Sequence, residues 1–151
     1  MKNKVFLGGV CGDTTWRKTI AIPALEAAGV SYYNPQLGPG EWTPAHQALE
    51  AQAKTEAKIW LFVVDGSTRG VASMVEAAFA IGKGIEMVLV LGDVAPDAPF
   101  VSSPSEAKDL NRGRAYLREV AVEAGIPIFD TPEAATAAVI GSLGLMNHSI
   151  N

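Results

Sequence analysis

The chain has 151 residues, 48% of them hydrophobic, and its 12 basic and 16 acidic side chains give a net charge of −4. This length and composition predict one domain, residues 1–151, with a sizeable core. The acidic balance and the lack of a basic run argue against a nucleic-acid polymer or an anionic membrane as a partner, and they leave a small-molecule ligand open.

Cysteine and histidine usage argues against a metal or redox centre. Cys11 is the one cysteine, and His46 and His148 lie far apart in sequence. We therefore expect no disulfide, no metal site and no cofactor, and a reducing, cytoplasmic location. The N-terminal apolar stretch is too short for a signal peptide, and no run reaches the length of a membrane span.

The first strand is predicted at Val5–Leu7, where a short apolar run ends in two glycines. The following loop, Val10–Thr15, lacks both the spacing of a dinucleotide fingerprint and the G-K-[ST] ending of a P-loop. A helix is predicted at Trp16–Ala28, and Pro23 within it either kinks the helix or marks its start.

The second strand is predicted at Val30–Tyr33, and a Thr-Pro pair at 43 and 44 predicts the start of a helix over Ala45–Ala57. Glu50 and Lys54 within this helix have the i, i+4 spacing of an ion pair. The helix is rich in alanine and weakly amphipathic, which predicts a peripheral position.

Residues 59–84 form the most informative stretch. Six consecutive apolar residues, Ile59–Val64, predict a parallel strand that is buried on both faces and is closed by Asp65. Turn-forming residues follow, and helical spacing begins at about Val71 and stops at Gly82. Glu76 falls on the flank of this helix. A helical wheel predicts the buried face to consist of Val71, Val75, Ala78 and Phe79.

A fourth apolar strand is predicted at Met87–Leu91, and the longest loop, Val94–Lys108, is a candidate lid because it follows a strand end. Apolar spacing then predicts a helix over Asp109–Ala124 and a fifth strand at Ile126–Phe129. A last helix is predicted from Pro132 to about residue 143.

Strands that alternate with helices predict a three-layer α/β/α sandwich around a five-stranded parallel sheet, in the flavodoxin-like order 2-1-3-4-5. In that order the switch point lies between the first and third strands. The predicted pocket therefore has Gly8–Trp16 on one side and Asp65–Glu76 on the other, with Asn34–Gln36 nearby.

Three motifs over roughly Lys4–Gly92 carry a family pattern: FLGG after the first strand, YYNPQ after the second, and FVVD-x-x-TRGVASMVEAAFAIGKG at the third. They resemble the nucleoside 2-deoxyribosyltransferase-like family, in its divergent branch. The resemblance implies a flavodoxin-like fold and glycosyl transfer or hydrolysis at the N-glycosidic bond of a nucleoside or nucleotide. It implies that Glu76 is the nucleophile that forms a covalent glycosyl-enzyme. A second carboxyl usually handles the proton of the base, and we prefer Asp65 over Asp13 for that role.

The remaining predicted site residues would bind substrate. Tryptophan can stack on a base, amides can contact base edges or sugar hydroxyls, and arginine suits a phosphate or carboxylate. The predicted substrate-binding residues are Gly8, Gly9, Asp13, Trp16, Asn34, Gln36, Arg69 and Ser73.

Other interpretations stay open. Glu76 is also consistent with a solvated helix residue, which the sequence alone favours. The chain is also consistent with a binding module that has kept the fold and lost catalysis. Phe6, where the family has a tyrosine, and Lys58, in a segment where it has an aspartate, motivate the second interpretation. A flavin carrier is a weaker third. The resemblance also implies a homo-oligomer, a dimer or higher, in which the tail Met146–Asn151 completes a neighbour's pocket.

Overall fold

A five-stranded parallel sheet forms the centre of this computed structural model, which describes residues 4–148 and the side chains as far as residue 144. The strand order is 2-1-3-4-5, and all four neighbouring pairs are parallel. The predicted order is therefore confirmed. The strands are β1 (Val5–Gly9), β2 (Tyr32–Tyr33), β3 (Ile59–Val64), β4 (Met87–Leu91) and β5 (Ile128–Phe129).

Helices cover both faces of this sheet. They are a π-helical turn (Arg17–Ala21), α1 (Ile22–Ala27), α2 (Pro44–Glu56), α3 (Val71–Gly82), α4 (Pro104–Glu123) and α5 (Pro132–His148). The π-helical turn, α1 and α5 pack on one face, while α2, α3 and α4 pack on the other. The predicted three-layer α/β/α sandwich is confirmed.

The central strand β3 is apolar throughout because both of its faces are covered. All six of its residues are buried. Leu61 lies between Leu7 of β1 and Val88 of β4 in the sheet register. This placement puts the turn after β3 beside the loop after β1, at the switch point of the sheet.

Hydroxyl side chains cap two of the helices. The Thr43 hydroxyl accepts a hydrogen bond from His46 N at 3.3 Å, and α2 begins at Pro44 as predicted. The Ser103 hydroxyl accepts from Glu106 N at 3.2 Å, and α4 begins at Pro104. The prediction that a loop extends to Lys108 was wrong, because a proline favours the first turn of a helix when a serine precedes it.

The first helical region settles the two alternatives for Pro23. The chain turns helically from Arg17 in a wide π turn and continues into α1, with Pro23 in the first turn of α1. Because helical backbone precedes Pro23, its missing N–H interrupts the hydrogen bonds at the junction between the π turn and α1. Helical structure therefore precedes the proline, and the regular α-helix starts next to it.

The buried face of α3 differs from the prediction. Val71, Val75 and Phe79 are each more than half exposed, while Ala77, Ala80 and Ile81 are buried. The helix lies on the sheet with its small alanines, which allow close approach of the backbone, so the bulkier residues point outward. An exposed apolar stripe results, which we call the α3 stripe (Val71, Val75 and Phe79).

Two further observations concern membrane spans and the C-terminal tail. Within residues 4–148, no helix combines the length and the apolar sequence that crossing a bilayer requires. The predicted role of the tail Met146–Asn151 concerns side chains that lie outside the described residues.

Candidate functional site

The carboxyl ends of β1 and β3 border a cavity of about 630 Å³, which we term the switch-point cavity. Its walls are the loop of residues 11–16, the turn after β3, and Pro132 at the start of α5. Three predicted site residues, Asp13, Trp16 and Asp65, line it together. Open α/β sheets place ligands at this position, but Glu76, which was predicted to border the same pocket, does not line this cavity.

Asp65 is oriented by the turn that follows it. Its Oδ1 accepts hydrogen bonds from Ser67 N at 3.0 Å and from the Ser67 hydroxyl at 2.5 Å. This arrangement is an Asx turn, the structural role that an aspartate at a strand end commonly has. The hydroxyls of Ser67 and Thr68 line the same cavity. The cavity therefore offers carboxylate and hydroxyl groups for contacts to a polar ligand.

Arg17 lies fully buried beneath the loop that follows β1. Its guanidinium donates from Nε to Leu7 O at 2.9 Å, from Nη1 to Val10 O at 2.8 Å and from Nη2 to Gly9 O at 3.3 Å. Burial lowers the pKa of Arg17, an effect that the nearby Cys11 partly offsets. These bonds fix the loop that forms one wall of the cavity.

Arg114 from α4 fixes the turn after β3 by hydrogen bonds to its backbone carbonyls. Its buried guanidinium donates to Asp65 O at 2.8 Å, Thr68 O at 3.0 Å, Arg69 O at 3.1 Å and Gly92 O at 2.8 Å. Burial lowers the pKa of Arg114. Because the bonded carbonyls belong to the loops after β3 and β4, this one side chain holds both strand ends in register.

The predicted residues Asn34 and Gln36 follow β2, and Gln36 supports the loop after β1. Gln36 Nε2 donates to Gly12 O at 2.8 Å and to Thr14 O at 2.9 Å. The Asn34 side-chain oxygen accepts from Gln36 N at 3.0 Å. Their amides are thus engaged in shaping the switch-point cavity, and direct contact with a ligand stays a prediction.

Glu76 lines a second cavity, of about 360 Å³, between α2 and α3, which we term the glutamate cavity. The Glu76 side chain is 38% exposed. Lys54, Trp60, Phe79 and Lys83 also line this cavity, and Asp65 does not. The two predicted catalytic carboxylates therefore border different cavities.

Lys54 connects α2 to this site. Its Nζ lies 2.9 Å from Glu76 Oε1 and 2.8 Å from Glu50 Oε1, which confirms the predicted Glu50–Lys54 pair. Burial lowers the Lys54 pKa, but the hydrogen bonds to Glu50 and Glu76 outweigh it, so the pKa is raised overall. Helix α2 is therefore not peripheral, because it supplies the direct partner of Glu76.

Gly8 and Gly9 are explained by packing of the sheet. A Cβ at Gly8 would lie 2.6 Å from the Phe62 ring, and a Cβ at Gly9 would lie 2.1 Å from Val63 O. Gly9 also has a φ of 111°, which disfavours any other residue. Both glycines are thus needed at this point of the fold, whatever they contribute to a ligand.

We expect Gly9→Ala to lower the free energy of unfolding by about 2 kcal/mol or more, because the new methyl group collides with the backbone of β3. Urea denaturation measures the change. The control is Gly141→Ala in α5, where a Cβ meets nothing within 4 Å. That control should be neutral or stabilising by up to about 1 kcal/mol. A Gly9→Ala protein as stable as the parent would contradict the packing explanation.

Arg69 and Ser73, which were predicted to bind substrate, have other surroundings in the structure. Arg69 Nε lies 2.7 Å from Glu106 Oε1, and its Nη2 donates to Phe100 O, so Arg69 ties the turn after β3 to the loop before α4. Ser73 lies on α3, half-buried, one turn before Glu76. Neither residue is among those found to line the two cavities.

The Arg69–Glu106 contact predicts acid sensitivity. Hydrogen bonds from Ser102 N, the Ser102 hydroxyl and Arg69 lower the Glu106 pKa from 4.5 to about 2. A lowered folded-state pKa stabilises the fold fully above pH 4.5, and this contribution is lost as the pH falls through about 2.

We therefore expect Glu106→Gln to destabilise the protein at pH 6, and the difference from the parent to shrink as the pH falls from 4.5 towards 2. Urea denaturation at several pH values measures this difference. Glu119→Gln, an exposed change on the same helix, serves as the matched control. A difference for Glu106→Gln that does not vary with pH would show that its carboxylate charge is not responsible.

The structure adds three residues to the site that the sequence did not single out for it: Lys54, Arg17 and Arg114. The i, i+4 pair with Glu50 marked Lys54 as charged and paired, but nothing local connects it to Glu76. The two arginines carry no periodic signal, since an arginine on a helix is normally exposed. Among the side chains of residues 4–144, no three of His, Cys, Asp or Glu are placed to hold one metal ion.

Comparison with known proteins agrees with this architecture. TIR domains in the structure of the activated Roq1 resistosome, which directly recognizes the pathogen effector XopQ, are 19% identical with a TM-score of 0.50, over 93% of this chain and 96% of that chain. This likeness supports the fold alone. No curated protein sequence matches the chain. The family profile described as nucleoside 2-deoxyribosyltransferase like matches residues 2–94, which include both Asp65 and Glu76. The chain therefore belongs to the nucleoside 2-deoxyribosyltransferase-like family.

Proposed function

We propose that the protein is an enzyme that acts on the N-glycosidic bond of a nucleoside or nucleotide, by transfer to another base or to water. The observation that carries this proposal is the Glu76 carboxylate, which borders an open cavity and is held by Lys54 at 2.9 Å. Membership of the family supports the same class of substrate.

The proposed reaction has two displacements. A Glu76 oxygen forms a bond to the anomeric carbon while the bond from that carbon to the base nitrogen breaks, and the bonding electrons leave with the base. The departing base takes up a proton from Asp65. A second base, or water, then attacks the glycosyl ester, gives a proton back to Asp65 and restores the Glu76 carboxylate. Each step passes through an oxocarbenium-like transition state, as in a retaining glycosidase.

The contacts of Glu76 support its proposed role as the nucleophile. Oε1 is occupied by Lys54, and Oε2 has no hydrogen-bond partner among the described residues. An ion pair through one oxygen fixes the carboxylate plane while leaving lone pairs on the other oxygen for attack. The Trp60 and Phe79 rings line the cavity beside it and supply apolar surface for a sugar or base.

We assign proton handling on the base to Asp65. Because Asp65 lines the switch-point cavity, this role requires a ligand that extends from one cavity to the other, with the sugar at Glu76. Asp13 and Trp16 would then contact the far end of the ligand. Asp65→Asn should lower kcat more for substrates with poor leaving groups than for those with good ones. Unchanged kcat values for both would exclude this role.

The direct test is incubation of the protein with a panel of nucleosides and nucleotides, with and without an acceptor base. Chromatography detects free or exchanged base, and intact-protein mass after an acid quench detects a glycosyl adduct. Release of base together with an adduct that is absent in Glu76→Gln is the expected result. No release from any member of the panel would refute the proposal.

The alternative is a binding module that has lost catalysis. Phe6 stands where a tyrosine hydroxyl is expected, and the Lys54 ammonium lies 5.4 Å from the Phe6 ring centroid, in the space beside Glu76. A ligand-dependent rise in melting temperature without release of base would favour this alternative. A trapped adduct on Glu76 would exclude it.

We also propose that copies of this chain assemble through the α3 stripe and that the protein works in the cytoplasm. The stripe is an apolar surface on an outer helix that carries Glu76 at its side, and such surfaces commonly mark protein contacts. Light scattering should give the mass of a dimer or larger assembly, and Val75→Lys should reduce it. A monomer at working concentration would refute the assembly, and cell fractionation tests the location.

A further inference from the structure

We propose that Lys54 is the positioning residue for Glu76, and that Glu50 is the counter-ion that keeps Lys54 charged and in place. This inference rests on the proposed function, in which Glu76 is the nucleophile. It assigns a role to helix α2, which supplies both Glu50 and Lys54.

The geometry of the three charges supports this assignment. Lys54 Nζ lies 2.9 Å from Glu76 Oε1 and 2.8 Å from Glu50 Oε1, so it bridges the two carboxylates. Because both oxygens contact the same Nζ, they lie no more than about 6 Å apart. Without the ammonium between them, the two carboxylates would repel each other.

The rings of Phe6 and Trp60 also contact the Lys54 ammonium. The Lys54 Nζ lies 5.4 Å from the centroid of Phe6 and 6.0 Å from that of Trp60. These distances fall within the range of cation–π attraction. Phe6 stacks on Tyr33 and packs against Trp60, so the three rings form one aromatic cluster. Lys54 is therefore held by two carboxylates and two rings, and its flexible stem is restrained.

The charge of this cluster suits the proposed reaction. The two carboxylates and the ammonium in direct contact carry a net charge of −1, which favours a positively charged, oxocarbenium-like transition state, while Lys83 on the wall of the same cavity opposes it. Formation of the glycosyl ester consumes the negative charge of Glu76. Glu50 then still neutralises Lys54, so the ammonium is not left unpaired at the moment when the intermediate forms.

Other titratable groups border the cluster and must be considered in any pH profile. Lys83 of α3 lines the glutamate cavity with Lys54. Tyr33 has a raised pKa, through its burial and the negative charge of Glu50, while Lys54 opposes that rise. Because Lys54 has a raised pKa through its two carboxylate partners, loss of either partner should let it lose its proton at lower pH.

The experiment compares Lys54→Met, Lys54→Arg and Glu50→Gln with Lys108→Met, an exposed change on α4, as the control. We expect Lys54→Met to lower kcat by about 10- to 100-fold, the effect of losing a hydrogen bond to a charged group. Lys54→Arg should restore part of this loss. Glu50→Gln should shift the alkaline limb of the kcat profile to lower pH, whereas Lys54→Arg should not show that shift, because arginine keeps its proton.

A second measurement does not depend on activity. NMR titration of the Lys54 side chain should give a lower pKa in Glu50→Gln and in Glu76→Gln than in the parent. An unchanged Lys54 pKa in both variants would overturn the inference, as would a Lys54→Met protein with the kcat and pH profile of the parent. If the parent cleaves no substrate while the Lys54 pKa falls as expected, the proposed function fails and the cluster is structural only.

Discussion

Glu76→Gln is expected to lower kcat for release of the base by on the order of 10³-fold or more, because an amide cannot form the glycosyl ester. Glutamine has nearly the same shape as glutamate, so the glutamate cavity and the packing of α3 should be preserved. Chromatographic measurement of free base under saturating substrate gives kcat, and urea denaturation shows whether the fold is intact.

The matched control for this change is Glu123→Gln, which also neutralises a carboxylate but lies exposed at the end of α4. It should leave kcat unchanged. If Glu76→Gln keeps more than about a tenth of the parent kcat, a covalent intermediate on Glu76 is excluded, because loss of a true nucleophile costs far more. A large loss of stability in Glu76→Gln would instead assign the residue a structural role.

Arg114→Met is expected to lower the free energy of unfolding by about 3 kcal/mol or more. Methionine can fill much of the space, but it donates no hydrogen bonds, and the carbonyls of Asp65, Thr68 and Gly92 would lose theirs. Each buried polar group left without a partner costs about 1–3 kcal/mol. Urea denaturation measures the loss, and proteolysis should show cleavage in the loosened turn after β3.

Arg118→Met on the same helix provides the control, because Arg118 is exposed. It should change stability by no more than about 0.5 kcal/mol. Arg114→Lys should fall between the two, since an ammonium cannot reach carbonyls on several sides as a planar guanidinium does. An Arg114→Met protein within 1 kcal/mol of the parent would show that solvent or a local rearrangement satisfies those carbonyls.

These two experiments separate the reacting group from the framework that holds the strand ends. Arg17 and Arg114 bind backbone carbonyls on both sides of the switch-point cavity, so they act on loop geometry. Glu76 and Lys54 form an ion pair between α3 and α2, in the separate glutamate cavity. A variant that loses activity but not stability would therefore indicate a role for Glu76 or Lys54, and not for the two arginines, in the reaction.

Much of this fold follows from local sequence. The six-residue apolar run of β3, the bounds of β4 and the Thr-Pro start of α2 all lie where they were predicted. Those signals are short-range, because a buried parallel strand is apolar at every position and a cap needs only adjacent residues. The alternation of strands and helices left two common sheet orders, and the one that suits five strands best is the one observed.

Only the tertiary structure decided which face of α3 is buried. The helix carries two apolar stripes, one of bulky residues with Val75 and Phe79 and one of small residues with Ala77 and Ala80. Periodicity identifies a helix but cannot rank two stripes. The close approach of α3 to the sheet selected the small one, and this choice set the direction in which Glu76 points.

The contacts that define the site also lie beyond the reach of local sequence. Lys54 meets Glu76 across two helices, and Arg114 reaches Asp65 across 49 residues of chain. No spacing rule links such pairs, since their proximity results from how α2, α3 and α4 pack on one face of the sheet. The sequence by itself determined the fold class, the family and the nucleophile candidate. The packing of helices on the sheet decided the partner of that carboxylate and placed Asp65 in a different cavity.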